Sequence, residues 1–154
     1  MKKLLTCILA VLCCCSIIMI PISASDTDIV MVPVSTSRIE LPDGGYIIEE
    51  IMQAPAIARA TSYKSGSKTS TRYTSDNHAL FAVKVTGSFG YNGSTAWSTS
   101  SSATVSIYDS GVSYISKSSS YSSNYATATG TVEYLSMTIS RTTTLYCDKN
   151  GNLS

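Results

Sequence analysis

Between Leu80 and Ser94 the chain reads LFAVKVTGSFGYNGS, with Phe81, Val83, Val85, Gly87, Phe89 and Tyr91 at every second position. Polar or small residues fill the positions between. That period of two is the signature of a strand with one buried face. The run ends at Asn92-Gly93, a dipeptide that favours a tight type I′ hairpin turn. A long strand entering a hairpin is therefore expected, with Gly87 placed where a bend or bulge could sit.

Weaker alternation continues on both sides. Thr69–Thr74 is short and polar and reads as an edge strand. Thr95–Thr99, with Trp97, returns from the Asn92-Gly93 turn. Ala103–Tyr108 and Val112–Lys117 flank the turn signal Asp109-Ser110-Gly111. Tyr125–Tyr134 sets Ala126, Ala128, Gly130, Val132 and Tyr134 against Thr127, Thr129, Thr131 and Glu133. Met137–Cys147 puts Met137, Ile139, Thr143, Leu145 and Cys147 on one side. Ser100–Ser102 and Ser118–Ser120 read as strand ends and loops. No segment after the N-terminus has helical period. The pattern predicts an all-β chain: an antiparallel β-sandwich of about seven strands, immunoglobulin-like or similar.

The N-terminal region is different. Lys2 and Lys3 precede an uncharged apolar run from Leu4 to Ile20, and Pro21, Ser23, Ala24 and Ser25 follow. This is the anatomy of a secretory signal peptide over 1–24, cleaved after Ala24 or Ser25. The expected mature protein is secreted and extracellular, with no membrane attachment after cleavage. Residues 25–60 hold three of the four prolines (Pro33, Pro42, Pro55) and six of the ten acidic residues. Within them RIELPDGGYIIEEI reads as a hairpin turning at Pro42-Asp43-Gly44-Gly45, or the segment is a flexible leader or propeptide. Residues 61–154 are the expected sandwich domain.

Composition then narrows the chemistry. Losing Lys2 and Lys3 leaves 9 basic against 10 acidic residues, a net charge of −1. A near-neutral domain has no electrostatic footprint for nucleic acid or an anionic membrane. Cys7, Cys13, Cys14 and Cys15 leave with the signal peptide, so Cys147 is expected as a free thiol, buried in an apolar strand.

The block DNHALFAVKVTGSFGYNGSTAW, the Ser/Thr-rich strands after it and the ending LYCDKNGNLS resemble a family of uncharacterised small secreted proteins from Gram-positive anaerobes. The resemblance spans Leu41 to Ser154. It implies a secreted β-domain and no activity. It also implies a second cysteine just after the YNGS turn, able to pair with the one near the C-terminus. Here Trp97 and Ser98 occupy that neighbourhood.

No catalytic constellation stands out. His78 is the single histidine, it follows the turn-like Ser75-Asp76-Asn77, and no GxSxG elbow occurs. Asp148-Lys149-Asn150-Gly151-Asn152 is oxygen-rich but lacks the alternating acids of a calcium loop, and reads as a turn. No metal or other cofactor is expected, and the chain is read as a non-enzyme. Aromatic residues are more suggestive. Tyr121, Tyr125, Trp97 and Tyr114 are the candidate ligand-binding residues, because exposed rings stack on sugar faces while Ser, Thr and Asn supply hydrogen bonds. The partner is then an extracellular glycan or surface protein. The alternative is a structural, self-associating extracellular or biofilm-type protein, since long strands with few charges leave sheet edges open to pairing.

Overall fold

The computed structural model describes residues 30–55 and 62–154. The signal-peptide segment lies outside the described residues. Eight antiparallel strands form two packed sheets, and the described residues contain no helix. The larger sheet is a meander of β1 (Val32–Glu40), β2 (Tyr46–Gln53), β3 (Ser62–Tyr73), β4 (Ala79–Tyr91) and β5 (Ala96–Ile107), in that order. The smaller sheet is β6 (Val112–Ser122), β7 (Tyr125–Tyr134) and β8 (Met137–Tyr146). The all-β sandwich read from the sequence is the observed fold. Two segments expected as separate strands merge into β5, and the Pro42–Gly45 hairpin adds β1 and β2, so seven expected strands become eight.

The alternation in β4 does what its period requires. Phe81, Val83, Val85 and Phe89 point between the sheets and are essentially inaccessible to solvent. Ala126, Ala128, Val132, Leu145, Cys147 and Leu153 meet them from the other side. Each large side chain buried this way contributes roughly 1.5–3 kcal/mol. The β7 residues facing this core are small for a reason. A Cβ on Gly130 would come within 2.7 Å of Val83 and Val105, and one on Gly87 within 2.8 Å of Ala126. Gly87 thus serves close sheet approach rather than a bulge. The bulge falls one step later, between Ser88 and Phe89. Thr143 crosses the gap, its Oγ1 donating to the Val83 carbonyl at 3.3 Å.

Three further expectations change. The Thr69–Thr74 segment belongs to β3, which is interior to the sheet and pairs along its length with β2 and β4. Its inner face carries Lys68, Ser70 and Arg72, which pair with the Glu49 and Asp43 carboxylates, so it lacks the apolar period that marks a central strand. Ser100–Ser102 and Ser118–Ser120 lie within β5 and β6 rather than in loops. At Ser101 the sheets are too close for a large side chain, and its hydroxyl donates to the Thr127 carbonyl at 3.0 Å. The Asn92-Gly93 turn is also not type I′. Only Gly93 has positive φ (83°), and Asn92 Oδ1 instead accepts from the amides of Ser94 and Thr95 at 3.0 and 2.9 Å. The two-residue turn with both central φ positive, as type I′ demands, is Leu135-Ser136 (50° and 60°), which joins β7 to β8 without glycine or asparagine.

The sandwich has a closed side and an open side. Along β5 and β6 the sheets touch, with the Ser98 amide donating to the Ser123 carbonyl at 2.7 Å. On the opposite side β1 and β2 extend past β8, because five strands face three.

Candidate functional site

In an antiparallel ladder, directly opposed residues share a sheet face, which places every candidate ring. Tyr125 opposes Tyr146 across β7–β8 and lies on the outer face of the small sheet. Their rings are 5.6 Å apart and tilted by 53°, and Tyr146 is 46% exposed. Tyr121 opposes Ala126 and Tyr114 opposes Val132, so both project from the inner side of the edge strand β6, where each is about half exposed. They are seven residues apart, roughly 24 Å along a strand. Trp97 is on the outer face of the large sheet, opposite Gly90. A Cβ on Gly90 would meet its indole at 2.4 Å, so the ring lies flat over the glycine backbone. The four candidates therefore do not converge on one face.

The ring pair that does form combines Tyr125 with Tyr146, and it stands at one end of an ordered polar surface. Below it the register aligns three rows of hydroxyls: Ser120, Thr127 and Thr144; then Ser118, Thr129 and Thr142; then Ser116, Thr131 and Ser140. Neighbours in these rows hydrogen-bond, Ser120 to Thr127 at 2.9 Å, Thr129 to Thr142 at 2.8 Å and Thr131 to Ser140 at 3.0 Å. A shallow depression of about 290 Å³ opens over Ser118, Ser120, Thr127, Thr129 and Thr142. The charged residues of these strands between the rows, Lys117 and Arg141, oppose Gly130 and belong to the inner face. What remains outside is three uncharged rows of hydroxyls and methyls, with the two aromatic rings at one end and the exposed Glu133, between Ser113 and Thr138, at the other.

A second aromatic group is structural. Tyr46 stacks on Tyr73 at 4.9 Å, Arg38 lies 3.5 Å above the Tyr46 ring, and the Tyr46 hydroxyl donates to Asn77 at 2.9 Å. These contacts bind β1, β2 and the β3–β4 turn together. Sequence reading also passed over Tyr63, exposed beside Gly90 on the face that holds Trp97. The alternation Tyr63, Ser65, Ser67, Thr69 would have extended β3 far enough to place it.

The remaining candidates resolve into turns and core. His78 Nε2 meets Asp109 Oδ2 at 2.6 Å and links the β3–β4 and β5–β6 turns. The Gly111 amide and then His78 hold the Asp109 carboxyl below its usual range. Asp148 accepts from the amides of Asn150 and Asn152 and from the Asn152 side chain, each at 2.8 Å, which makes the C-terminal loop a closed turn. Among the described residues no three His, Cys, Asp or Glu side chains cluster as metal ligands would. Cys147 is a free, buried cysteine. Burial first, and the Asp148 carboxylate second, push its thiol up to about 11, against a smaller opposing effect of Lys64. Its amide donates to the Asn124 carbonyl at 2.9 Å while Ser98 holds Ser123, so Cys147 and Ser98 flank the same β6–β7 turn.

Comparisons with protein-family models, with curated proteins and with solved structures find no match to this chain.

Proposed function

We propose that this protein is a secreted, non-enzymatic extracellular module that binds a glycan on the outer face of its three-stranded sheet. The observation that carries the reading is the Tyr125–Tyr146 pair standing over three aligned rows of serine and threonine hydroxyls. Two rings at an angle offer successive apolar platforms to sugar faces, and the hydroxyl rows beside them donate to or accept from sugar hydroxyls. The three hydroxyl rows beside the rings carry no charge, which suits a neutral polysaccharide. Array screening against bacterial, fungal and plant polysaccharides, followed by calorimetry on any hit, tests this. Tyr125→Ala and Tyr146→Ala should each weaken binding by at least about tenfold, which corresponds to ~1.4 kcal/mol. Tyr121→Ala, on the other side of the sheet, should leave it unchanged. An empty array, or binding indifferent to both outer tyrosines, overturns the reading.

Self-association has one observation in its favour: β1 is an exposed edge strand that presents Val32, Val34 and Ile39. The same strand carries Pro33, a register shift between Pro33 and Ser35, and the Arg38–Glu40 ion pair, all of which obstruct edge-to-edge pairing. The edge strand β6 likewise has a register shift between Tyr114 and Ser116, with Lys117 beyond it. Concentration-dependent size-exclusion chromatography separates the readings, since the glycan-binding module is expected to elute as a monomer throughout.

A further inference from the structure

On the open side of the sandwich, the overhang of β1 and β2 past β8 leaves a trough between the sheets. Its inner part is a cavity of about 170 Å³ walled by Leu41, Ile47, Phe81 and Ile139, with Arg72 and Arg141 contributing the charge. A second cavity of about 200 Å³ shares Arg72 and Ile139 and continues to Leu135 and Met137, which are 71% and 57% exposed. The trough is thus lined by apolar residues at Ile139, Leu135 and Met137 and by polar ones at Asp43, Thr74 and Ser75, with the two guanidiniums at its inner end.

The two arginines are incompletely used. Their side chains are only 18% and 28% exposed, and the Nε–H of each is buried without an acceptor among the described residues. An unmet buried donor costs about 1–3 kcal/mol, and both arginines that carry one line the same cavity. The acids present are already committed. Glu49 takes Arg141 at 2.7 Å, Lys68 at 3.1 Å and the Ser70 hydroxyl at 3.1 Å. Asp43 accepts from Arg72 and from the Gly45 amide. Three cations (Lys68, Arg72, Arg141) therefore face two anions (Glu49, Asp43), which leaves one positive charge unmatched in a half-desolvated site. A guanidinium is suited to meeting a planar carboxylate with two parallel donors.

We infer that this trough binds a monoanionic aliphatic carboxylate, its carboxylate between Arg72 and Arg141 and its chain along Phe81 and Ile139 toward Met137. The shared chemistry belongs to a free aliphatic acid and to the C-terminus of a peptide ending in an apolar residue. This site is on the opposite side of the small sheet from the proposed glycan face and stands independently of it.

The test is an NMR titration of the ¹⁵N,¹³C-labelled mature protein, following the arginine Nε–H signals and the Ile139 methyls. The chain has few arginines, so the signals are assignable by substitution. Four probes are used: hexanoate, N-acetyl-leucine, hexanamide and inorganic phosphate. Saturable, concerted shifts of Arg72, Arg141 and Ile139 with hexanoate or N-acetyl-leucine are expected. The tighter of the two identifies the free acid or the peptide terminus as the source. Arg72→Lys and Arg141→Lys keep the charge and should each weaken binding by about tenfold or more. No saturable shift at the two Nε–H groups overturns the inference. So does an equal response to hexanamide or to phosphate, or an Arg141→Lys protein of unchanged affinity. The wild-type titration decides by itself should either variant fail to fold.

Discussion

Gly130→Ala tests how closely the two sheets approach. The added Cβ would be 2.7 Å from Val105 Cγ2, 2.7 Å from Val83 Cγ2 and 3.5 Å from Val83 Cγ1. Carbon contacts settle at about 3.5–4.0 Å, so two methyl groups must each retreat by nearly 1 Å. Val83 is fully buried in the core between the sheets. Overpacking of this kind costs about 1–3 kcal/mol. Replacing glycine inside a strand recovers ~0.5–1 kcal/mol of backbone entropy. The net expectation is a destabilisation of about 0.5–2 kcal/mol. In urea, at unchanged m, that lowers the midpoint by a few tenths of a molar to about 1 M. Val83→Ala alone should cost about 2–3 kcal/mol through lost burial and the cavity it leaves. Because it removes the clashing methyls, the double variant should fall short of the sum of the singles by at least about 0.5 kcal/mol. A Gly130→Ala protein as stable as the wild type, or strictly additive behaviour of the pair, would refute the close contact between β4 and β7.

Two other outcomes follow from the charged and thiol groups. Burial alone would raise the Glu49 carboxyl, but Lys68, Ser70 and Arg141 outweigh it and hold the group below its ordinary range. A depressed folded pKa means that the stabilisation is fully present above the unfolded value, about 4.3, and is lost as pH falls through the folded one. Glu49→Gln should therefore lower stability at pH 7 by about 2–3 kcal/mol, somewhat less than a fully buried broken pair, and flatten the loss between pH 5 and 3 in chemical denaturation. A parallel acid limb in the variant and the wild type would exclude Glu49 as a contributor. Cys147, with its thiol near 11, should resist Ellman's reagent at pH 8 in protein lacking residues 1–24 and react fully once denaturant is added. Prompt labelling of the native protein contradicts the burial.

The alternating apolar residues of β4, β7 and β8 were legible because each of these strands has one face in the core and one outside. A period of two in the side chains then reports directly on burial. The PDGG hairpin was readable from its turn chemistry. Its partner was not, because β3 meets β2 and β8 through Lys68, Ser70 and Arg72, and ion pairs leave no hydrophobic period in a sequence. For the same reason the Arg72–Arg141 trough had no signature. Those residues are 69 positions apart in the numbering and become neighbours only when the sheets stack.

The aromatic residues show the division most plainly. Composition and spacing determined that an all-β chain would carry many rings on Ser/Thr-rich strands. Which rings act together was a matter of register, and register depends on hairpin turns whose conformations the chain states poorly. The Asn92-Gly93 turn departs from type I′ because the asparagine side chain caps the loop, while Leu135-Ser136 adopts positive φ without the usual residues. The pairing that results puts Tyr125 beside Tyr146, turns Tyr121 to the opposite face and lays Trp97 over Gly90. A shift of one residue would exchange those faces, so local sequence determined the strands and the packing of the two sheets decided the site.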